Sequence, residues 1–282
     1  MHDHQLTPRR RIRLTRLTSD AGLPHTGLVD ATGYSRFKHG DAAVARRYAM
    51  ALAALAARRL GDAPVRVTTS AFDRVPPAAH SLLAPFVQQL CTLRPDLTVT
   101  AFRVVRRGVS NGDYSRMALA DRRSAVGADN LTPERDVRGA LVLALDDIRV
   151  TGTHELAMDQ CLLSAGVAQV RHLYIVDAHR FAGSPRIESV LNEAAIGGPD
   201  DLLAIAAGPR FVPNARFCRR VLALPPDQLS AFLRAAAPEL RGWLSRAIEF
   251  DGLAGVSAYA DRVRTWDAAL ADIDRTMGAG VG

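Results

Sequence analysis

Two adjacent carboxylates, Asp146 and Asp147, end an unbroken apolar run, ALVLAL at residues 140–145. A short loop of Val150, Thr151, Gly152, Thr153 and His154 follows, completing the segment LVLALDDIRVTGTHE at 141–155. A run apolar on both faces is the signature of a strand buried in a parallel sheet, and such sheets bind ligands at the carboxyl ends of their strands. Gly152 lets backbone N–H groups approach a ligand closely. Thr151 and Thr153 add hydroxyl donors, and a helix opening near His154 points its positive dipole end at the same place. That combination suits a phosphate monoester. Carboxylates beside it would repel the anion unless they accept hydrogen bonds from sugar hydroxyls or hold Mg²⁺ through water. Phosphate donors, paired acids and a strand end together describe a site for a ribose 5-phosphate. In the plainer alternative the acids merely end a strand and TGT merely starts a helix. The consistent order of strand, acid pair, glycine and helix favours the ligand site.

Other chemistries lack their residues. A P-loop kinase needs GxxxxGK[ST], which is absent, and Lys38, the only lysine, lies instead in YSRFKHGD at 34–41. Haloacid-dehalogenase-like phosphatases start from Asp-x-Asp, whereas the acids here are adjacent. Cys91, Cys161 and Cys218 are odd in number and form no CxxC pair, which excludes a disulfide framework and a zinc site and fits a reducing cytoplasm. No apolar run approaches the ~20 residues that a membrane span needs. With 48% hydrophobic and 23% charged residues the composition is that of a folded globular chain. The excess of 36 Lys+Arg over 29 Asp+Glu, net +7, suggests an anionic partner or a GC-rich coding bias. The basic run of Arg9, Arg10, Arg11, Arg13 and Arg16 has no apolar core after it and no interleaved aromatics. It reads as a solvated or subunit-docking arm, not as an export signal.

The segment 141–154 resembles the binding motif for phosphoribosyl pyrophosphate (PRPP) of type I phosphoribosyltransferases: four apolar residues, two acids, an apolar position and a Thr/Gly-rich phosphate loop. MALADRRSAV at 117–126 resembles the arginine-bearing region of ComF-like members. YSRFKHGD resembles ComF-like phosphoribosyltransferases of tellurium-resistance (Ter) gene clusters, which carry a similar helical tail. His154 departs from the pattern, standing where many members have Thr or a small residue. The resemblance covers residues 34–180. It implies a cytoplasmic, Mg²⁺-dependent enzyme that moves a 5-phosphoribosyl group from PRPP to a nitrogenous, base-like acceptor and releases pyrophosphate. Asp146 and Asp147 would hold the ribose hydroxyls and the metal, and Val150, Thr151, Gly152, Thr153 and His154 the 5-phosphate. Ser70 and Arg74, with Asp73 near the metal, would serve the pyrophosphate. Arg122 and Arg123, in an arginine-rich lid that also holds Arg106, Arg107 and Arg116, would add catalytic charge. After the last strand, Asp177 and Phe181, with His179 and Arg180 beside them, would meet the acceptor. The expected partners are these small molecules, without nucleic acid or membrane and with a homodimer left open. The alternative is a non-catalytic PRPP- or nucleotide-sensing regulator whose basic arm binds nucleic acid. A sugar-phosphate hydrolase is a more distant third.

These residues need a scaffold, and the pattern supplies an α/β one. Strands are expected at 65–69, 97–105, 140–145 and 173–176, alternating with helices at 41–60, 81–90 and 154–165. Asp41 is a good N-cap and Gly61 a good terminator for the first helix. Residues 106–136 read as a long polar loop. Beyond 184 the chain looks helical, at 185–195, 200–207, 227–236, 239–250 and 256–273. The expected architecture is a parallel-sheet type I phosphoribosyltransferase core at 41–183, an N-terminal arm or hood segment at 1–40 and a helical extension at 184–282. That extension would close a hood over the acceptor or form a dimer interface.

Overall fold

The computed structural model describes residues 11–106, 130–184 and 186–278. In chain order the elements are β1 (Arg11–Arg16), α1 (Ala31–Lys38), α2 (Ala42–Ala57), β2 (Val65–Thr69), α3 (Leu83–Leu93), β3 (Val99–Ala101), β4 (Val104–Arg106), β5 (Leu131–Pro133), β6 (Leu141–Arg149), α4 (Thr153–Ser164) and β7 (Gln169–Asp177). The helical part follows as α5 (Arg186–Glu193), α6 (Pro199–Ala206), α7 (Ala215–Leu222), α8 (Pro226–Ala235), α9 (Pro238–Phe250) and α10 (Ser257–Gly278). The main sheet has the order β1-β7-β6-β2-β3, and all its neighbours pair in parallel. Its apolar runs are therefore those of strands covered on both faces.

Leu143 and Leu145 of β6 point into a core shared with α1, α2 and α3. Val142 and Ala144, one residue out of phase, point into a second core with α4 and the β4–β5 ribbon. This alternation follows from the two-residue period of a strand, and it aims Asp146 and Asp147 at opposite faces. The helical extension has its own core around Phe217, Phe232, Leu244 and Trp266, which Val75 joins from the loop after β2. At the start of α2 the Asp41 side chain accepts from the Ala43 and Val44 amides, so the expected cap is present.

Three sequence expectations change here. Residues 97–105 form two strands, because the chain leaves the main sheet at Phe102, where its amide donates to the Val67 carbonyl, and β4 then pairs with β5. Within the segment expected as an arm, residues 11–16 are an edge strand of the main sheet. Arg11 pairs with Glu155 and Arg13 with Asp177, so these two arginines are internal counter-charges and not a free basic patch. Helix α7 was not anticipated, since its apolar positions Phe217, Cys218, Val221 and Leu222 are interleaved with three arginines at 216, 219 and 220. Among the described residues no helix is long and apolar enough to cross a membrane.

Candidate active site

The acid pair is the pivot of a cavity of about 370 Å³. Asp146 accepts two hydrogen bonds on Oδ1, from Ser70 Oγ at 2.7 Å and from the Asp147 amide at 2.9 Å. Burial first, and the neighbouring Asp147 charge second, push the Asp146 carboxyl up to about 7, against the opposing pull of the Ser70 hydroxyl. Asp147 points the other way, toward α1, where its Oδ2 lies 2.5 Å from Lys38 Nζ. Adjacent acids of one strand thus have different partners: a hydroxyl for one, a buried lysine for the other.

Beyond the acids β6 runs into the loop 150–154, which lines a smaller adjoining cavity of about 50 Å³ with Arg149, Glu155 and Tyr174. Gly152 takes a left-handed conformation, φ +79°, as it caps α4. Thr151 and Thr153 bring their hydroxyls within 2.9 Å of each other. A helix start with two hydroxyls and a glycine carries the kind of donors that suit an anion. Beneath it the Glu155 carboxylate is enclosed by Arg11, Tyr174 and Arg149. Although burial opposes it, the Arg11 guanidinium first, then the nearby His172 and the Tyr174 hydroxyl, hold the Glu155 carboxyl down at about 2. His179 braces the loop from β7, its Nδ1–H donating to the Val150 carbonyl at 2.9 Å.

The opposite wall of the larger cavity comes from the helical extension: Glu188 of α5, Arg216 and Arg219 of α7, and Phe250 and Asp251 at the end of α9. Arg219 pairs with Asp251 at 3.3 Å and Arg216 with Glu188 at 3.6 Å. Burial raises the Asp251 carboxyl, partly offset by Arg219. The extension therefore closes over the strand-end site. The junction is tight at Gly40, whose carbonyl accepts from the Val212 amide at 3.0 Å.

Of the residues named from sequence, Ser70, Asp73, Arg106, Asp146, Asp147 and His154 line the larger cavity, and Val150, Thr151, Gly152, Thr153 and His154 line the smaller. Arg74 is off both linings and lies over the Phe250 ring, 4.8 Å from its centre. Asp177 pairs with Arg149 and Arg13, and Phe181 packs on the main core, so neither of these acceptor candidates reaches a cavity lining. Arg107, Arg116, Arg122 and Arg123 lie outside the described residues. Cavity residues that sequence reasoning passed over are Lys38, Arg149, His172, Glu188, Arg216, Arg219, Phe250 and Asp251. Only Lys38 carried a signal, as the sole lysine in an arginine-rich chain.

A parallel sheet with an acid pair and a Thr-Gly-Thr loop at the end of one strand, enclosed by a helical hood, defines the core of a type I phosphoribosyltransferase. The chain belongs to the ComF-like phosphoribosyltransferases: the family model described as PRTase ComF-like matches residues 27–250. That match takes in Lys38, the acid pair, the loop and the extension as far as Phe250. No curated protein matches the chain. Among solved structures it is similar to a hypoxanthine phosphoribosyltransferase of Staphylococcus aureus, at 12% identity and TM-score 0.35 over 48% of this chain and 64% of that one. A hypoxanthine-guanine phosphoribosyltransferase of Bacillus anthracis aligns at 9% identity and TM-score 0.33, covering 48% of this chain and 67% of that one. The Trypanosoma cruzi hypoxanthine phosphoribosyltransferase aligns at 12% identity and TM-score 0.33, covering 49% and 66%. The chain thus spans less than two thirds of the S. aureus protein.

Proposed function

We propose that this chain transfers a 5-phosphoribosyl group from PRPP to a nitrogenous acceptor, with release of pyrophosphate, in a reducing cytoplasm. The observation that carries the reading is the Asp146–Asp147 pair two residues before the loop 150–154, with Asp146 on the lining of both cavities. The loop amides and the Thr151 and Thr153 hydroxyls beside the smaller cavity would hold the 5-phosphate. The acids would then accept from the ribose 2- and 3-hydroxyls, fixing the ring so that its C1 faces the larger cavity. Bond cleavage at C1 develops positive charge on the ring, as in glycoside hydrolysis. The carboxylates stand where that charge appears and need no reorganisation to meet it. The helical wall excludes water, the competing nucleophile.

Mg²⁺ fits this donor set. Its usual protein ligands are one or two carboxylates, with substrate phosphates and water supplying the rest. Asp146 keeps its second oxygen clear of the Ser70 and amide donors, and Asp147 keeps the oxygen away from Lys38. Among the described residues no cluster of three or more His, Cys, Asp or Glu could hold a metal, so the ion would arrive with the pyrophosphate. When bound it would neutralise the leaving group. Arg106, on the lining, and Arg122 and Arg123 are the candidate arginines for the same task. The acceptor would enter between the loop after β2 and the helical wall.

Calorimetry with PRPP, with and without Mg²⁺, tests the reading, followed by pyrophosphate release with a panel of bases. Binding that needs Mg²⁺ and disappears in Asp146→Asn/Asp147→Asn is expected. Absence of binding by the wild type, or equal binding by the double variant, overturns it.

A further inference from the structure

The sole lysine of the chain is buried at the candidate site. Lys38 is 5% exposed, and its Nζ lies 2.5 Å from Asp147 Oδ2 and 3.8 Å from Glu188 Oε1. Glu188 in turn lies 3.6 Å from Arg216. Charges of alternating sign therefore run from β6 through α1 and α5 to α7, and the chain ends on the acid beside the sugar subsite. The carboxylates of Glu155, Asp177 and Asp251 are met by arginine, and the buried Asp159 by His172. An ammonium differs from a guanidinium in being compact, with donors that diverge toward separate acceptors, where the planar fork engages one carboxylate side by side. Shared between two carboxylates on different elements, the ammonium touches one oxygen of Asp147 and leaves the other clear of itself. A buried charge costs several kcal/mol unless it is paired, so the geometry of this cluster is strongly enforced.

We propose that Lys38 is a positioning residue of the sugar subsite: it fixes the Asp147 carboxylate toward the ribose hydroxyls and is itself held by the Glu188–Arg216 pair of the helical extension. The proposal rests on the reading of the cavity as a PRPP site. It makes the extension part of the sugar subsite as well as the acceptor wall.

The test uses the full chain as wild type, Lys38→Arg and Lys38→Met, with ribose 5-phosphate and inorganic phosphate as calorimetric probes. Lys38 touches the acid pair and is not on the phosphate loop. Lys38→Arg is therefore expected to weaken ribose 5-phosphate by about tenfold, and Lys38→Met by more, while both leave inorganic phosphate within about twofold. A merely structural lysine would weaken both probes together. Parallel losses, or no loss for ribose 5-phosphate, overturn the proposal. If Lys38→Met fails to fold, Lys38→Arg decides alone. A second readout needs no ligand. Protein labelled in lysine with ¹⁵N and ¹³C gives one side-chain signal, which is expected to shift in Asp147→Asn and in Glu188→Gln. An unmoved signal overturns the ion-pair chain even in a protein that binds PRPP. A wild type that binds neither probe but shows both shifts overturns the PRPP reading, and the sugar-positioning role with it, and leaves the ion pairs standing.

Discussion

The Arg11 guanidinium forks onto the Glu155 carboxylate, with Nε 2.9 Å from Oε2 and Nη2 2.5 Å from Oε1. An edge strand at the N-terminus is thereby fastened to the first turn of the helix that carries the phosphate loop. Glu155 is almost fully buried, so removing its charge takes away the carboxylate that Arg11 and Arg149 share, while Arg149 keeps Asp177. Glu155→Gln is expected to cost about 3–5 kcal/mol in urea unfolding at pH 7.

The same carboxylate fixes a pH dependence. Its carboxyl lies at about 2 in the folded protein, below its ordinary value of 4.5. A depressed acid adds stability that is complete above the unfolded value and is lost as pH falls toward the folded one. Wild-type stability is therefore expected to decline more steeply between pH 4.5 and 2 than that of Glu155→Gln. Urea midpoints at half-unit intervals check this, and equal slopes would refute it.

Asp146 has the opposite sign. Its carboxyl is raised to about 7 from 3.8, so the folded protein holds a proton that the unfolded chain releases. The stability gained this way is complete below about pH 4 and is lost as pH rises through 7. Asp146→Asn, which has no proton to lose, is expected to gain stability relative to wild type between pH 5 and pH 8. In the wild type, PRPP binding with Mg²⁺ is expected to strengthen over the same range as the carboxyl ionises. A variant with an unchanged stability difference across that range would contradict the raised value.

Much of this scaffold was legible because its signals were local. The run at 140–145 made a buried strand legible, although that strand runs on through the acids to Arg149, and β2 lies where Pro64 and the β-branched residues put it. The run RIRLTR alternates in the manner of a strand, but with only Ile12 fully buried its arginines looked solvated. Their partners, Glu155 and Asp177, lie far along the chain, and ion pairs of that kind leave no periodic trace. Asp177 shows the reverse case. A polar residue after a strand suggested ligand contact, yet the side chain answers Arg13 and Arg149. Phe181 likewise belongs to packing. The helical wall was invisible as a site because Arg216, Arg219 and Asp251 acquire their meaning only when α7 and α9 fold against the loop after β2.

Two glycines in left-handed conformations separate strain from collision. At Gly40, φ +101°, a Cβ would fall 2.5 Å from the Val212 carbonyl oxygen and 2.7 Å from the Phe211 ring. At Gly152, φ +79°, the nearest atom is the Arg149 guanidinium at 3.7 Å. Gly152→Ala therefore carries conformational strain alone, about 1–2 kcal/mol. Gly40→Ala adds a backbone clash that must push the extension off α1, and is expected to cost more than Gly152→Ala in thermal unfolding. The order reverses for inorganic phosphate, whose binding Gly152→Ala is expected to weaken and Gly40→Ala to spare.

In the proposed reading the helical wall would hold the acceptor apart from the sugar. Phe250 faces the cavity with Arg74 stacked on it, and the Arg219–Asp251 pair lies beside it. A flat ring has an aromatic surface to stack on there, and donors and acceptors for its edge within one pair. None of these four side chains touches the acid pair or the loop 150–154. Phe250→Ala and Arg219→Ala are expected to raise the KM for the acceptor by about tenfold, while the Kd for ribose 5-phosphate stays within about twofold. Asp251→Asn keeps the shape of the pair but alters its donor pattern, so it is expected to change which bases of a panel support pyrophosphate release. Variants that weaken ribose 5-phosphate as much as the acceptor would place the wall at the sugar, and an unchanged KM in both Phe250→Ala and Arg219→Ala would place the acceptor elsewhere.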